Sequence, residues 1–285
     1  MDIKTIFHQG SNTFSYVVHD ATTAAIIDPV LDFDQTSGRT HTTTAQQLVD
    51  YVNNQNLNTA WVLETHAHAD HLSAAPFIKE QLGGQVAIGE HISKVQDVFA
   101  EIFNDKSLLE NRFPAFDKTF TDGETFQIGT LSAQYLHTPG HTPACGMYVI
   151  NNTAAFVGDT LFMPDAGTAR CDFPGGSAAQ LYNSITEKIF TLPESTTLYM
   201  CHDYGAGGKR EEANQTTVKE QKHHNIHVGG GKTMAEFVEM RTERDKTLDL
   251  PQLIIPSVQV NIRGGKLPEA EDNGVRYVKI PLDRF

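Results

Sequence analysis

Cysteine is scarce in this chain. The 285 residues include three cysteines, Cys145, Cys171 and Cys201. An odd number of cysteines without a pairing rhythm argues against a secreted domain stapled by disulfides and fits a reducing compartment. We interpret all three as small, buried, apolar side chains. The sequence leaves their reactivity open, because two of them lie beside residues that are candidates for a functional site.

Long apolar runs are missing as well. No stretch of the sequence is apolar for long enough to span a bilayer. The amino-terminal residues Met1 to Thr5 lack the order of a signal peptide, in which basic residues precede an apolar segment. We therefore expect a cytoplasmic protein that does not insert into a membrane.

Basic residues are in deficit. The chain has 22 Lys and Arg against 35 Asp and Glu, a formal net charge of −13 at pH 7. An acidic surface repels nucleic acids and anionic membrane surfaces, so we expect neither as a partner. A small anionic substrate remains compatible with this charge, because it responds to the charges near its own site.

The remaining composition is that of a globular protein. Hydrophobic residues make up 39% of the chain and charged residues 20%, which is typical of folded domains. Strand and helix patterns alternate in two halves, and neither a low-complexity linker nor a solenoid-type repeat separates them. We predict the α/β fold class and a single domain over residues 1–285. Its core spans about residues 1–226, and a carboxyl-terminal extension spans about residues 227–285.

The periodicity of apolar residues predicts the individual elements. Strands are predicted at 3–7, 13–18, 24–27, 60–63, 86–88, 131–136, 146–150, 154–157 and 198–201. Helices are predicted at 44–53, 72–84, 92–103, 177–190, 211–224 and 233–246. Other expectations are a surface loop at 31–43, a hairpin at 120–126 around Asp122-Gly123, and extended segments at 253–256 and 275–280.

Metal-binding side chains crowd one short block. His66, His68, Asp70 and His71 fall within six consecutive positions, between the apolar run 60–63 and a predicted helix. Neutral imidazoles and carboxylates are common metal ligands. A turn at the carboxyl end of a strand is also where open α/β sheets place their sites. The ordinary alternative is a polar loop whose histidines face solvent.

Three further candidates follow predicted strands later in the chain. His141 lies in a loop made rigid by proline and glycine, Asp159 follows Gly158, and His202 follows the strand that ends at Cys201. Each has an ordinary explanation alone, as a turn cap, a helix cap or a core histidine. Together with the block at 66–71 they predict a metal centre.

These motifs resemble the metallo-β-lactamase superfamily. The block His-x-His-x-Asp-His is followed in the same order by the downstream His, Asp and His of that superfamily. The resemblance implies an αββα sandwich, with two β-sheets between layers of helices and a metal site at one edge.

Within the superfamily, the sequence is most similar to persulfide dioxygenases, also called sulfur dioxygenases or ethylmalonic-encephalopathy-like proteins. It looks like a bacterial branch of that group, with extra residues between His91 and Phe120 and a tail beyond Gly265. The resemblance is carried by the stretches 64–73, 137–142, 158–162, 167–173, 201–204, 236–238 and 256–264, the last with Asn261 and Arg263.

The resemblance implies a mononuclear iron site. One Fe(II) per chain would be held by His66, His141 and Asp159, a facial set of ligands that leaves open positions on the metal. The implied reaction oxidises glutathione persulfide, or a related low-molecular-weight persulfide, with O2 to sulfite and thiol. The implied substrate contacts are Arg170 and Tyr204, for which a surface salt bridge and packing are the ordinary alternatives.

The other candidates have a less definite role under this resemblance. They would orient the ligands of the iron or remain from a second metal site. They are His68, Asp70, His71 and His202. A homodimer is a further implication, since dimers are common among such proteins.

The same residues also fit a different enzyme, a glyoxalase II-like thiolester hydrolase (hydroxyacylglutathione hydrolase). Two metals, zinc or zinc and iron, would there generate a hydroxide near neutral pH. His66, His68 and His141 would form one site, and Asp70, His71 and His202 the other, with Asp159 as the bridge. The stretch 167–173 and the carboxyl-terminal match favour the dioxygenase. A non-catalytic metal-binding or flavodiiron-type electron-transfer module is disfavoured, because nothing resembles an appended flavin domain.

Overall fold

The structure, a computed structural model, describes residues 1–105 and 115–284. The strands in these ranges are β1 Asp2–His8, β2 Thr13–His19, β3 Thr23–Ile27, β4 Val30–Asp34, β5 Arg39–His41, β6 Asn58–Leu63, β7 Leu72–Ser73, β8 Gln85–Gly89, β9 Lys118–Phe120, β10 Thr125–Ile128, β11 Leu131–His137, β12 Gly146–Ile150, β13 Ala154–Phe156, β14 Thr197–Tyr199 and β15 Gln215–Thr217. The α-helices longer than four residues are α1 Thr43–Asn54, α2 Ala75–Leu82, α3 Ile92–Ile102, α4 Ala178–Asn183, α5 Val218–His224, α6 Met234–Asp245 and α7 Ile254–Asn261.

Two six-stranded sheets in these ranges form the centre of the molecule. The first has the order β1-β2-β3-β6-β8-β9 and the second the order β10-β11-β12-β13-β14-β15. In the first sheet, β3, β6, β8 and β9 run parallel to one another. Strand β2 shows the two-residue alternation, since Phe14, Tyr16 and Val18 face one apolar cluster while Val17 faces another.

Three apolar clusters define four layers. The cluster between the sheets contains large aromatic side chains from both of them, namely Phe14, Tyr16, Phe120, Phe126, Tyr135, Tyr148 and Phe156. On the outer face of the first sheet, helices α1, α2, α3 and α7 bury apolar side chains such as Leu48 and Val258. On the outer face of the second sheet, α4, α5 and α6 do the same with Leu181 and Phe237. The predicted αββα sandwich is confirmed.

Several predicted helices are confirmed with small shifts of their ends. They are α1, α3 and α6, together with α4, which continues into a π-helical turn at Ser184–Ile189. Helix α6 begins with a capping box, in which the Thr233 side chain accepts from the backbone N–H of Glu236 and the Glu236 carboxylate accepts from the backbone N–H of Thr233. None of the helices in the described ranges has the length and hydropathy that crossing a bilayer requires.

The predicted surface loop at 31–43 is wrong. Strands β4 and β5 pair with each other there, and β4 also pairs with β7. Residues 72 and 73 are therefore strand, and the helix predicted from Leu72 begins at Ala75 with Pro76 in its first turn. Proline fits this position, because the N–H groups of the first turn have no partner within the helix.

The predicted hairpin around Asp122-Gly123 is also wrong. The chain does turn there, and Gly123 has a φ of +81°. However, β9 before the turn belongs to the first sheet and β10 after it to the second. A turn signal reports that the chain changes direction, and it does not specify which strand becomes the partner.

Two further predictions near the carboxyl terminus are corrected. The helix predicted over 211–224 is confined to α5, because Gln215–Thr217 pairs with β14 as the edge strand β15. The extended segment predicted at 253–256 lies mostly in α7, where Pro256 occupies the first turn. The segment 275–280 contains an isolated bridge at Arg276 and no longer strand. The extra residues predicted between His91 and Phe120 fall partly outside the described ranges.

Helix α7 is tied to the histidine-rich loop by one side chain. The Asn261 amide donates to the backbone carbonyls of His68 and His71, each at 2.8 Å, and accepts from the backbone N–H of Ser73, also at 2.8 Å. Asn261 is buried. The carboxyl-terminal region therefore fixes the backbone that carries the first candidate ligands.

We expect Asn261→Ala to lower the free energy of unfolding by about 3 kcal/mol, because three buried backbone groups would lose their partner. Urea denaturation checks this. Asn273→Ala is the matched control, since Asn273 also makes two hydrogen bonds, but at an exposed site where water replaces them. Its expected loss is below about 0.5 kcal/mol. Equal losses in the two variants would contradict the role given to Asn261.

Candidate metal centre

The loop that follows β6 is held by a buried carboxylate on the neighbouring parallel strand. Asp28 directly follows β3, with a φ of +49°. Its carboxylate accepts from the backbone N–H of Thr65 at 2.7 Å, the Thr65 hydroxyl at 2.9 Å and Nε2 of His68 at 3.0 Å. These bonds fix both ends of the segment 65–68.

His66 is oriented through this arrangement. Because the Thr65 hydroxyl donates its proton to Asp28, it accepts from Nδ1 of His66, at 3.0 Å. Nε2 of His66 then carries the lone pair. This atom lies 3.8 Å from Oδ2 of Asp159. Burial holds the pKa of His66 well below its ordinary value, so the ring is neutral at neutral pH and can bind a cation.

His141 faces the same carboxylate oxygen. Its Nδ1 donates to the backbone carbonyl of Arg170 at 2.7 Å, and its Nε2 lies 3.6 Å from Oδ2 of Asp159. Gly140 allows this loop to pack closely, because a Cβ there would lie 2.3 Å from the backbone of Leu181. The predicted ligands His66, His141 and Asp159 are thus brought together.

The other four candidates form a second group beside the first. Ligand atoms of His68, Asp70, His71 and His202 all lie within 4.8 Å of one another. Nε2 of His202 lies 3.5 Å from Oδ2 of Asp70 and 3.4 Å from Oδ1 of Asp159. The two carboxylate oxygens of Asp159 therefore face different groups.

Some of the ligand-type atoms in the two groups have no hydrogen-bond partner in the described part of the chain. Several buried nitrogen and oxygen atoms make no hydrogen bond with the described part of the chain, namely His66 Nε2, His68 Nδ1, His71 Nε2, His202 Nε2 and Asp159 Oδ1. Burying polar atoms without a partner is unfavourable. A cation with imidazole and carboxylate ligands would satisfy them, so the donor set fits a metal.

Histidines 71 and 202 are oriented in the same way as His66. Nδ1 of His71 lies 3.2 Å from Oδ2 of Asp70, and Nδ1 of His202 lies 3.2 Å from the Thr13 hydroxyl. In both rings Nε2 is the atom without a partner. Burial, with the neighbouring His68, lowers the pKa of His71 to about 4, so this ring is neutral at neutral pH.

The sequence pattern did not identify several residues that support the ligands. Asp28 and Thr13 are two of them. Glu64 is a third, because its Oε2 lies 3.3 Å from Nε2 of His68 while its other oxygen accepts from the Ser73 hydroxyl. The sequence could have identified Asp28, because it is an acidic residue directly after β3, the strand that pairs with β6. Thr13 carried no such signal.

A cavity of about 980 Å³ opens from the ligands. Its wall includes the candidate ligands His141 and Asp159 and the aromatic side chains Phe162, Phe173 and Tyr204. The ring of Tyr204 stacks 6.4 Å from that of His202, and 49% of the residue is exposed. A volume of this size accommodates a small-molecule ligand.

Arg170, the other predicted substrate contact, also lies on the cavity wall. Its Nε and Nη2 donate to the two oxygens of Asp172 at 2.6 and 2.7 Å, and its Nη1 donates to the carbonyl of Asp249 at 2.5 Å. The guanidinium fork is thus engaged within the protein. The predicted role of Arg170 in substrate binding stays a prediction.

The three cysteines are buried. Burial raises the pKa of the Cys145 thiol to about 12 and raises the pKa of Cys171 and Cys201 as well. Protonated thiols are poor nucleophiles. This agrees with the interpretation of the cysteines as small packing residues.

The chain is similar to known proteins over nearly its whole length. It is 51% identical to a probable metallo-hydrolase of Burkholderia pseudomallei over 99% of each chain. It is also 51% identical to Glyoxylase B2 of Dictyostelium discoideum, over 91% of this chain and 88% of that protein. Its identity to the mitochondrial persulfide dioxygenase ETHE1 of Bos taurus is 30%, over 92% of this chain and 88% of that protein.

A solved structure and a family model agree with the fold. The crystal structure of ETHE1 from Myxococcus xanthus superposes with a TM-score of 0.75 at 29% identity, over 93% of this chain and all of that chain. The model of the metallo-beta-lactamase superfamily matches residues 8–202. The chain therefore belongs to the metallo-β-lactamase superfamily, and its buried histidines and aspartates are those of a metal-dependent enzyme.

Proposed function

We propose that the chain is an iron-dependent persulfide dioxygenase, which oxidises glutathione persulfide or a related low-molecular-weight persulfide with O2. The observation that carries the proposal is the grouping of His66, His141 and Asp159, whose ligand atoms all lie within 4.8 Å of one another. Two imidazoles and one carboxylate are the ligand set of mononuclear non-haem iron oxygenases. The similarity to proteins named ETHE1, one of them described as a persulfide dioxygenase, supports the same choice.

In this proposal His66, His141 and Asp159 hold one Fe(II) per chain. When bound, such an iron supplies open coordination positions to a sulfur anion and to dioxygen. The side chains around it have separate tasks. Asp28 and the carbonyl of Arg170 fix the tautomers of the two imidazoles. The aromatic side chains Phe162, Phe173 and Tyr204 form part of the cavity wall, where they can contact a bound substrate.

The reaction balances without a further reductant. One persulfide R-S-SH, one O2 and one water give one thiol R-SH and one sulfite with two protons. The outer sulfur loses four electrons, which dioxygen takes up, and the S–S bond breaks with the thiol as the leaving group. The substrate sulfur would enter the cavity past Tyr204, a wall residue that is 49% exposed.

A specific observation favours a second candidate, the glyoxalase II-like thiolester hydrolase. The Asp159 carboxylate lies between the two groups of ligands, with Oδ2 toward His66 and His141 and Oδ1 toward His202. A bridging carboxylate of this kind suits two metal ions that activate a water molecule. The relative named Glyoxylase B2, at 51% identity, agrees with this candidate.

A paired substrate assay on one protein sample separates the two candidates. Protein from iron-rich medium is expected to contain about one iron per chain and to consume O2 with glutathione persulfide, with sulfite as the product. Hydrolysis of S-lactoylglutathione by the same sample is expected to be at least about 100-fold slower. Hydrolysis without O2 uptake, together with two zinc ions per chain, would reject the dioxygenase.

Substitution of single histidines tests which residues hold the iron. We expect His141→Ala to lose both the metal and the activity, because it removes a proposed ligand. His202→Ala is expected to retain about one iron per chain and to lose activity by about 10- to 100-fold, the range for residues that act on a metal through its ligands. His224→Ala, a substitution of an exposed histidine, serves as the control. Equal metal loss in the first two variants, measured by elemental analysis, would indicate a two-metal site instead.

A further inference from the structure

Basic side chains are concentrated on the wall of the cavity that opens from the metal ligands. Although the whole chain carries a formal net charge of −13, five cationic residues line this one cavity. They are Arg170, Lys209, Arg210, Arg241 and Arg244. A local surplus of positive charge inside an acidic protein attracts an anion to that place.

Three of the five are already neutralised within the protein. Arg170 pairs with Asp172, and Arg241 pairs with Asp245, each at 2.6 Å. Arg210 pairs with Asp165, also at 2.6 Å, and with Asp203. The N–H groups of these arginines already donate to carboxylates of the protein. These side chains are therefore poor candidates for binding the charged end of a substrate.

Lys209 and Arg244, unlike the other three cationic residues, are not paired with a carboxylate in the described part of the chain. Within residues 1–105 and 115–284, neither has a carboxylate oxygen within 4.0 Å, and both side chains are exposed on the cavity wall. Arg244 lies in the last turn of α6, and Lys209 follows the glycine-rich turn Gly205–Gly208. Four carboxylates line the same cavity. Asp165 is paired with Arg210, and Asp70 and Asp159 lie among the candidate metal ligands, which leaves Asp249 beside the two free cations.

We propose that Lys209 and Arg244 bind the carboxylates of an anionic thiol carrier while its sulfur reaches the metal ligands that line the same cavity. The inference rests on the proposed function only in taking this cavity as the substrate site. Guanidinium and ammonium groups recognise carboxylates by charge-assisted hydrogen bonds. The two residues would thus select carriers such as glutathione, with two carboxylates, over neutral thiols.

Equilibrium binding of reduced glutathione and of its dimethyl ester to the metal-loaded protein tests the proposal. We expect the wild-type protein to bind glutathione more tightly than the ester. Lys209→Gln and Arg244→Gln should each raise the Kd for glutathione by about fivefold, a size typical of one partly solvated charge contact, and leave the Kd for the ester unchanged. Isothermal titration calorimetry measures all of these values.

Two matched substitutions control for the change in net charge. Lys219→Gln and Arg39→Gln remove exposed basic side chains outside this cavity, and neither should change the Kd for glutathione. The proposal is overturned if wild-type protein does not bind glutathione or binds both ligands equally. It is also overturned if Lys209→Gln and Arg244→Gln bind glutathione as tightly as the wild type does. The same holds if the control variants raise the Kd for glutathione as much as the cavity variants do.

The binding experiment and the turnover assay test the two proposals independently. Glutathione persulfide and S-lactoylglutathione share the same two carboxylates, so the binding result does not depend on which reaction follows. Charge-dependent binding without O2 uptake would reject the dioxygenase and keep the carboxylate site. Persulfide oxidation with unchanged binding in both cavity variants would keep the dioxygenase and reject the assignment of Lys209 and Arg244.

Discussion

The buried carboxylate of Asp28 is the contact on which the candidate centre depends. A buried charge is unfavourable unless it is paired and hydrogen-bonded. Asp28 accepts two hydrogen bonds from Thr65 and one from His68, so it is satisfied within the protein. Because Thr65 passes this orientation on to His66, one carboxylate at the end of β3 fixes two imidazoles at the end of β6. The parallel pairing of β3 and β6 brings these strand ends together.

The ligand loop is held from its other side by the carboxyl-terminal region. Asn261 on α7 binds two of the loop's carbonyls, and α7 packs its apolar side chains on the outer cluster of the first sheet. With the backbone fixed on both sides, the imidazoles lose little further freedom when they bind a cation. Asp159 then faces one group of candidate ligands with each oxygen, so the arrangement is compatible with one metal ion or with two.

The sequence predicts which histidines and aspartates come together, but not the residues that orient them, for a physical reason. His66 to His71 are contiguous, and His141, Asp159 and His202 each follow a strand or a rigid turn, so local patterns reveal them. Asp28 and Asn261 act through hydrogen bonds to residues 37 to 193 positions away, and periodicity carries no such information. The run at 253–256 is predicted to be extended, but most of it lies in helix α7. Its Pro256 does not prevent this, because proline is tolerated in the first turn of a helix.

The central claim is that His66, His141 and Asp159 together hold a single redox-active cation. The most direct measurement is anomalous diffraction at the iron and zinc absorption edges, from crystals of protein purified under reducing conditions after growth in iron-rich medium. The account predicts one iron peak per chain, within bonding distance of all three residues. Two zinc peaks, one of them among Asp70, His71 and His202, would contradict it.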